Sequence, residues 1–553
     1  MRFSLNSNNA RLLASCFGAL AFVFAPATLM ASGETVTVNL GDLPPGKRVV
    51  ISYSVTVDNT IPAGDSTLST QGSVAHSGGS VAQSDDPDAG GVFDPTTTPA
   101  NKAGAVDAYT AFVQANFTPA EQGNAAISGS VQNFEGDAFT NGLDFLFNQD
   151  PKVIDLADPI KCEVVSGKVR WTFVRVTDTS GVTVATGCGP TKDNPFAEPL
   201  TQISATADTP SAGLTTMVLE DPTPVAPGSP RFFGVQVDSR AVVRGIFATD
   251  IKPASASVPI EITALSLQSF EPGVVRGTVT GVGPSYLQDS NAFWTTGMFQ
   301  NGDYFVQILN ATNPAAEGAV SDITASDGGT KRLTLAPDLS ATLSVGDQYV
   351  IRPHSTVDGV FGPSNEAGLL AGPNSTAADN LVLLGTGGNP NQTLFFSSGT
   401  SQWEDNAATP NAGESRIFPG EGILVRRLGT AALRIYTKGE PRYGPVQVTV
   451  TTGFNLLGAI QSSGGLTLDQ LGLRGDGTAG TGLADGINPS AADNIVVVNP
   501  NGTTSRYFHD GTTWRDSRFL DASAVVIPPG AAFYVIRQSP RPPFNWTVPG
   551  SAQ

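Results

Sequence analysis

Asn133, Glu135, Asp137, Asn141 and Asp144 place oxygen-bearing side chains at the first, third, fifth, ninth and twelfth positions of one loop. A hard cation such as Ca²⁺ takes six to eight oxygen ligands, so oxygens at this spacing read as a candidate Ca²⁺ site. Only Glu135, Asp137 and Asp144 carry formal charge, and an Asp at the last position is shorter than the Glu that chelates with both oxygens. Weak binding is therefore expected, with Kd of roughly 10⁻⁴ to 10⁻³ M, as in extracellular modules. The competing reading is a degenerate loop whose helices pack without an ion.

Cys162 and Cys188 are the second pair with chemistry in them. The segments from Lys168 to Thr177 and from Val182 to Thr186 alternate in polarity around Asp178-Thr179-Ser180-Gly181, which reads as a hairpin able to bring the two sulfurs together. In an oxidising compartment that is a disulfide, contributing about 3.5 kcal/mol on the chain-entropy model. Two separately buried thiols are the alternative.

Catalytic residues are harder to find. His76, His354 and His509 lie far apart and outside any zinc-type spacing, and the chain has neither a Gly-x-Ser-x-Gly elbow nor a glycine-rich phosphate loop. A triad assembled from distant residues or a pair of carboxylates across a groove stays open, since neither leaves a local signature. An extracellular hydrolase is accordingly the weakest of three readings.

The elements that would position these residues are short strands. Gly (61) and Pro (40) are abundant while only 14% of residues are charged, and Val, Thr and Ser recur in brief alternating runs. This composition predicts a mainly β chain of several sandwich or barrel-like modules with one short helix-loop-helix. At 553 residues one core is not enough. The expected organisation is a leader at 1–33, a β fragment at 34–100, the helix-loop-helix at 101–151 and a small β module at 152–240. A β domain at 241–370 and duplicated units within 371–553 complete it. Around the loop, Val106, Tyr109, Phe112 and Val113, then Phe139, Leu143, Leu146 and Phe147, recur at helical spacing.

Residues 1–33 read as a signal peptide. Arg2 and Arg11 precede a run from Leu12 to Met30 that is nearly all apolar, and Ala31-Ser32-Gly33 offers small residues for cleavage before Glu34. Leu13-Ala14-Ser15-Cys16 is a poor lipidation signal, because the apolar run follows Cys16 where it should precede it. No later stretch reaches the length of a membrane span. The formal charge is −18, and loss of the leader makes it more acidic still, which disfavours nucleic acid and anionic membranes as partners.

Three stretches carry resemblances. Leu40-Gly41-Asp42-Leu43-Pro44-Pro45-Gly46, with Val55-Thr56-Val57-Asp58-Asn59 and Asp85-Asp86-Pro87-Asp88, resembles the C-terminal part of an Ig-like repeat of large bacterial surface proteins. It lacks the first strands, so an open edge needing cover is implied. Asp85, Asp86 and Asp88 read as a solvated turn, with Ca²⁺ binding between modules the alternative. The stretch from Tyr109-Thr110-Ala111-Phe112 through Asn116-Phe117-Thr118-Pro119-Ala120-Glu121 and Ile127-Ser128-Gly129 to Asp150-Pro151 resembles a linker-like helix-loop-helix common in exported verrucomicrobial proteins. That resemblance implies a calcium-type loop. This copy departs from it at Asn133 and Glu135, where Asp is usual, at Ala138, where Gly makes the sharp turn, and at Asp144. Arg231-Phe232-Phe233-Gly234-Val235-Gln236-Val237 resembles the closing strand of the β module that follows such a loop.

An internal repeat is visible beyond it. Ala377-Ala378-Asp379-Asn380-Leu381-Val382-Leu383 matches Ala491-Ala492-Asp493-Asn494-Ile495-Val496-Val497, the Gly-Thr turn before Trp403 matches that before Trp514, and Pro419-Gly420 matches Pro529-Gly530. Two copies, 377–427 and 491–537, are expected. With Arg276-Gly277-Thr278-Val279, Trp294 and the run from Ser344 to Ile351, the region from about 250 to 548 resembles an uncharacterised family of exported verrucomicrobial proteins without assigned activity. The leading functional reading is a secreted or cell-envelope structural or interaction protein, without catalysis, whose partners are other surface proteins. The alternative is a polysaccharide-binding accessory protein, for which Trp294, Trp403, Trp514 and Trp546 would have to be exposed platforms for sugar rings.

Overall fold

The computed structural model describes residues 106–549, apart from 208–210, 212, 386–390, 408, 410, 443, 459–464, 475–479 and 500–502, together with four strands of the preceding residues. The chain divides into two compact units, 1–107 and 108–553. In the first, Gly64–Thr70 pairs antiparallel with Thr96–Lys102, and Ser73–Ala75 with Val81–Gln83. The leader at 1–33, the strands expected between Thr35 and Val57, His76 and the acidic Asp85, Asp86 and Asp88 lie outside the described residues.

The second unit is mainly antiparallel β, as the composition predicts. It begins with four short helices: α1 (Ala108–Asn116), α2 (Pro119–Gln122), α3 (Ala125–Ser128) and α4 (Asn141–Phe147). Local chemistry sets their ends. Thr118 and Glu121 form a capping box around Pro119, and Asn148 closes α4 in the left-handed conformation at φ 56°. Leu143, Leu146 and Phe147 of α4 are buried with Phe139 in the core of the β module that follows. Gly142 makes this approach feasible, since a Cβ there would come within 2.8 Å of both Val237 Cγ1 and Ser130 O.

That module is a sandwich. One sheet runs Lys161–Val165, Lys168–Val176, Leu214–Glu220, Thr201–Ala207; the other runs Ser269–Phe270, Leu433–Pro441, Arg240–Ile251, Arg231–Val237, Val184–Gly189. Alternation along Lys168–Val176 turns Val169, Trp171 and Phe173 inward, and Trp171 stacks on Phe233 of the facing sheet with ring centroids 4.8 Å apart. The expected hairpin around Asp178-Thr179-Ser180-Gly181 does not form, because Lys168–Val176 and Val184–Gly189 enter different sheets. Cys162 lies opposite Trp171 in the first sheet and Cys188 opposite Phe233 in the second. Both are free thiols, so the expected disulfide is replaced by two separate sulfurs.

The repeat extends further than 377–427 and 491–537. In the first copy Arg240–Ile251 pairs with Leu433–Pro441, and a five-stranded sheet runs Glu261–Ser266, Gly422–Arg427, Asn380–Leu383, Gln392–Phe396, Trp403–Asp405. In the second, Val446–Val450 pairs with Phe544–Val548, and the sheet runs Gly453–Gly458, Ala532–Arg537, Asn494–Val498, Thr504–His509, Trp514–Asp516. Between its first sheet strand and Ser355–Thr356, the first copy carries a whole additional sheet. Its seven strands run Val275–Thr278, Gln348–Pro353, Tyr304–Asn310, Val320–Asp327, Arg332–Ala336, Tyr286–Gln288, Gly281–Gly283 around Trp294, Phe299 and Tyr349.

The copies meet reciprocally. Gly458 N donates to Gly420 O and Ser266 N donates to Gly530 O, both at 2.8 Å, and bridges form between Glu421 and Leu457 and between Leu265 and Ala531. Each contact on one side has its counterpart on the other, the signature of a twofold interface, here within one chain.

Candidate metal centre

The loop between α3 and α4 turns at Gly136, whose φ is +75°, so the tight conformation falls two residues before the Ala138 position where it was expected. Asn133 shapes that turn. Its Oδ1 accepts from Gly136 N at 2.6 Å and its Nδ2 donates to Asp137 O at 2.8 Å. Asn133 thus holds the loop together, and the other four expected residues form the buried set.

Glu135, Asp137 and Asp144 each present an oxygen within 4.8 Å of the others, and all three are buried, as is Asn141. Both carboxylate oxygens of Glu135 and both of Asp144 lack a hydrogen-bond donor. Asn141 donates through Nδ2 to Ile127 O at 2.7 Å and to Gly129 O at 3.1 Å, which fixes its amide and leaves Oδ1 buried without a partner. Asp137 is tied down by backbone N–H groups, Phe139 N to Oδ1 at 2.6 Å and Asp155 N to Oδ2 at 3.2 Å.

Among the described residues no Lys or Arg is paired with Glu135, Asp137 or Asp144. Burial first, and neighbouring carboxylates second, push Glu135 and Asp144 well above the usual carboxylate range, and burial raises Asp137 to about 7. Unpaired buried carboxylates cost several kcal/mol each, so such a cluster takes up either protons or a cation. An all-oxygen donor set with no sulfur or imidazole suits a hard ion of the Ca²⁺ class.

A second acidic group shows what satisfaction looks like. Cys188 Sγ, Glu198 and Asp221 also lie within 4.8 Å of one another. There Arg231 supplies the cation, with Nε 2.8 Å from Asp221 and Nη2 2.6 Å from Glu198. A guanidinium already fills the place an ion would take.

The other candidates are dispersed. Trp294, Trp403, Trp514 and Trp546 are each at most 4% exposed, so none is an open platform for a sugar ring. Trp403 and Trp514 occupy equivalent positions opposite Phe396 and His509 in the two copies, as core residues. His354 faces Asp322 and His509 faces Asp485 in separate parts of the chain. No helix among the described residues is long and apolar enough to cross a membrane. In comparisons with known proteins, no family model, no curated protein and no solved structure matches this chain.

Proposed function

We propose that this chain is an exported envelope or extracellular structural protein, without catalytic activity, in which a Ca²⁺ ion staples the helical segment to the β modules. The observation that carries the proposal is the set of buried oxygens on Glu135, Asn141 and Asp144 that no donor reaches. Such oxygens are costly unless a cation takes them, and calcium is the hard cation plentiful outside cells. Export rests on the leader reading of 1–33, and the partners proposed are other surface proteins, met through the β modules. The resemblance of 250–548 to exported verrucomicrobial proteins fits the same setting.

A ligand bound by the folded state alone stabilises it by about 2.7 kcal/mol at a hundredfold excess over Kd. Thermal melting of the full chain in millimolar CaCl₂ and in chelator tests the staple. We expect a higher transition with calcium in the unsubstituted chain and coincident transitions in an Asp137→Ala variant. Equal melting temperatures in the unsubstituted chain would overturn the proposal.

A further inference from the structure

Glu135 and Asp137 contribute to one buried group of oxygens, and Gly136 between them serves a different neighbour. Its carbonyl accepts from Arg276 N at 2.7 Å, and Asp137 makes an antiparallel bridge to Val275. Val275–Thr278 is the end strand of the inserted seven-stranded sheet, paired on one side with Gln348–Pro353 and on the other, among the described residues, with no strand. Two loop residues therefore stand where a neighbouring strand would, and cover part of an edge whose N–H and C=O groups would otherwise be open to pairing. The approach is close: a Cβ on Gly136 would lie 3.2 Å from Arg276 O. Phe134 adds a second contact, its ring centroid 5.1 Å from that of Phe293, in the connection between Tyr286–Gln288 and Tyr304–Asn310 of the same sheet.

We infer that the calcium ion controls this edge: with the ion bound the loop closes over Val275–Thr278, and without it the loop leaves the edge uncovered. This rests on the calcium reading of the loop and deepens it by naming what the ion regulates. The reason is that adjacent residues serve both contacts. The carboxylates of Glu135 and Asp144 have no donor, and hydration relieves the cost of burying them when no cation does. Glu135 is 1% exposed, and Asp137 and Asp144 are 0% exposed. Water reaches them only when the loop moves, and Gly136 moves with it.

Coupling of this kind is reciprocal: if the ion holds the loop on the edge, the edge holds the loop in the form that binds the ion. Arg276 is where the contact can be cut without touching a ligand. Its backbone N–H donates to Gly136 O, whereas its side chain pairs with Glu440, Nη2 to Oε1 at 2.6 Å. Arg276→Pro removes both interactions and Arg276→Ala only the ion pair. An edge strand tolerates proline where the N–H faces away from the rest of the sheet, as it does here.

Two measurements on the full chain test this. Luminescence of bound Tb³⁺, a calcium-sized probe, with Ca²⁺ as competitor gives the calcium affinity, and hydrogen exchange read by mass spectrometry over residues 274–278 gives the state of the edge. The expected results are slower exchange of this segment in saturating Ca²⁺ than in chelator, no such difference in Asp144→Ala, and a Ca²⁺ affinity weaker in Arg276→Pro than in Arg276→Ala by roughly fivefold or more. Asn494–Val498, in the sheet of the second copy, is expected to respond less to calcium than the edge does. Equal slowing of both segments would mean that the ion stabilises the fold at large and would overturn the inference. Exchange at 274–278 that is the same in Ca²⁺ and in chelator while Tb³⁺ binds would overturn it and leave the loop site intact, the outcome if protons alone satisfy the carboxylates of the ion-free loop. Equal calcium affinities in the two Arg276 variants would overturn it as well. Absence of Tb³⁺ binding to the unsubstituted chain would remove the underlying calcium reading instead. Should Arg276→Pro fail to melt cooperatively, the exchange comparison between the unsubstituted chain and Asp144→Ala decides alone.

Discussion

At the scale of residues, two acidic clusters in one chain meet burial in different ways. Asp221 and Glu198 are neutralised by Arg231, while Glu135 and Asp144 have no such partner among the described residues. Spacing in the sequence was enough to pick out Glu135, Asp137, Asn141 and Asp144, because a short loop before a helix keeps sequence neighbours together in space. It did not show that the amide of Asn133 closes the turn at Gly136, nor that the chain returns after Pro151 to bring the backbone N–H of Asp155 to Asp137 Oδ2. The cysteines failed for a related reason: pairing of sulfurs depends on which sheet each strand joins, and the alternating pattern is the same for either. Burial pushes the Cys162 thiol up to about 11 and the Cys188 thiol up to about 12, so both resist alkylation in the native state. We expect no modification of either by iodoacetamide at pH 7.5 in the native chain and modification of both after denaturation without reductant, read by mass spectrometry. Alkylation of neither after denaturation would restore the disulfide.

At the scale of elements, the repeat was legible where the two copies share residues, from Asp379-Asn380 and Asp493-Asn494 through Trp403 and Trp514 to the Pro-Gly turns. The flanking ladders were not, since Arg240–Ile251 and Val446–Val450 are equivalent only in their hydrogen bonding. Nor was it legible that the β domain expected at 241–370 holds an inserted sheet, which separates strands that are near neighbours in the second copy. One position breaks the symmetry with a physical consequence. Glu421 and Ala531 follow the equivalent glycines Gly420 and Gly530, and Glu421 is only 3% exposed. Burial raises its pKa to about 7. Between pH 4.5 and 7 the folded chain then keeps a proton that the unfolded chain releases, so stability falls as pH rises through that window. Glu421→Gln, neutral throughout, is expected to match the unsubstituted chain at pH 4 and to exceed it by on the order of 3 kcal/mol at pH 8. Denaturant unfolding at the two pH values measures this, and a variant less stable at pH 8 would contradict it.

At the scale of the whole molecule, the helical segment, the sandwich and the inserted sheet converge on one group of buried oxygens. Gly136 and Asp137 lie against the edge strand of that sheet, and Leu143 and Phe147 lie in the core of the sandwich. The mainly β class and the presence of short helices were legible from composition and periodicity. The convergence was not, because it depends on the return of the chain at 151–155 and on a strand edge more than a hundred residues away. An ion at this junction would act on the whole arrangement, which is the sense of the structural role proposed for the chain. Isothermal titration of the chelator-treated full chain with CaCl₂ tests that claim most directly. The account predicts saturable heat with one ion per chain at the junction, abolished by Asp144→Ala. An unsubstituted chain that gives no heat at millimolar calcium, or an Asp144→Ala variant that titrates like it, would contradict it.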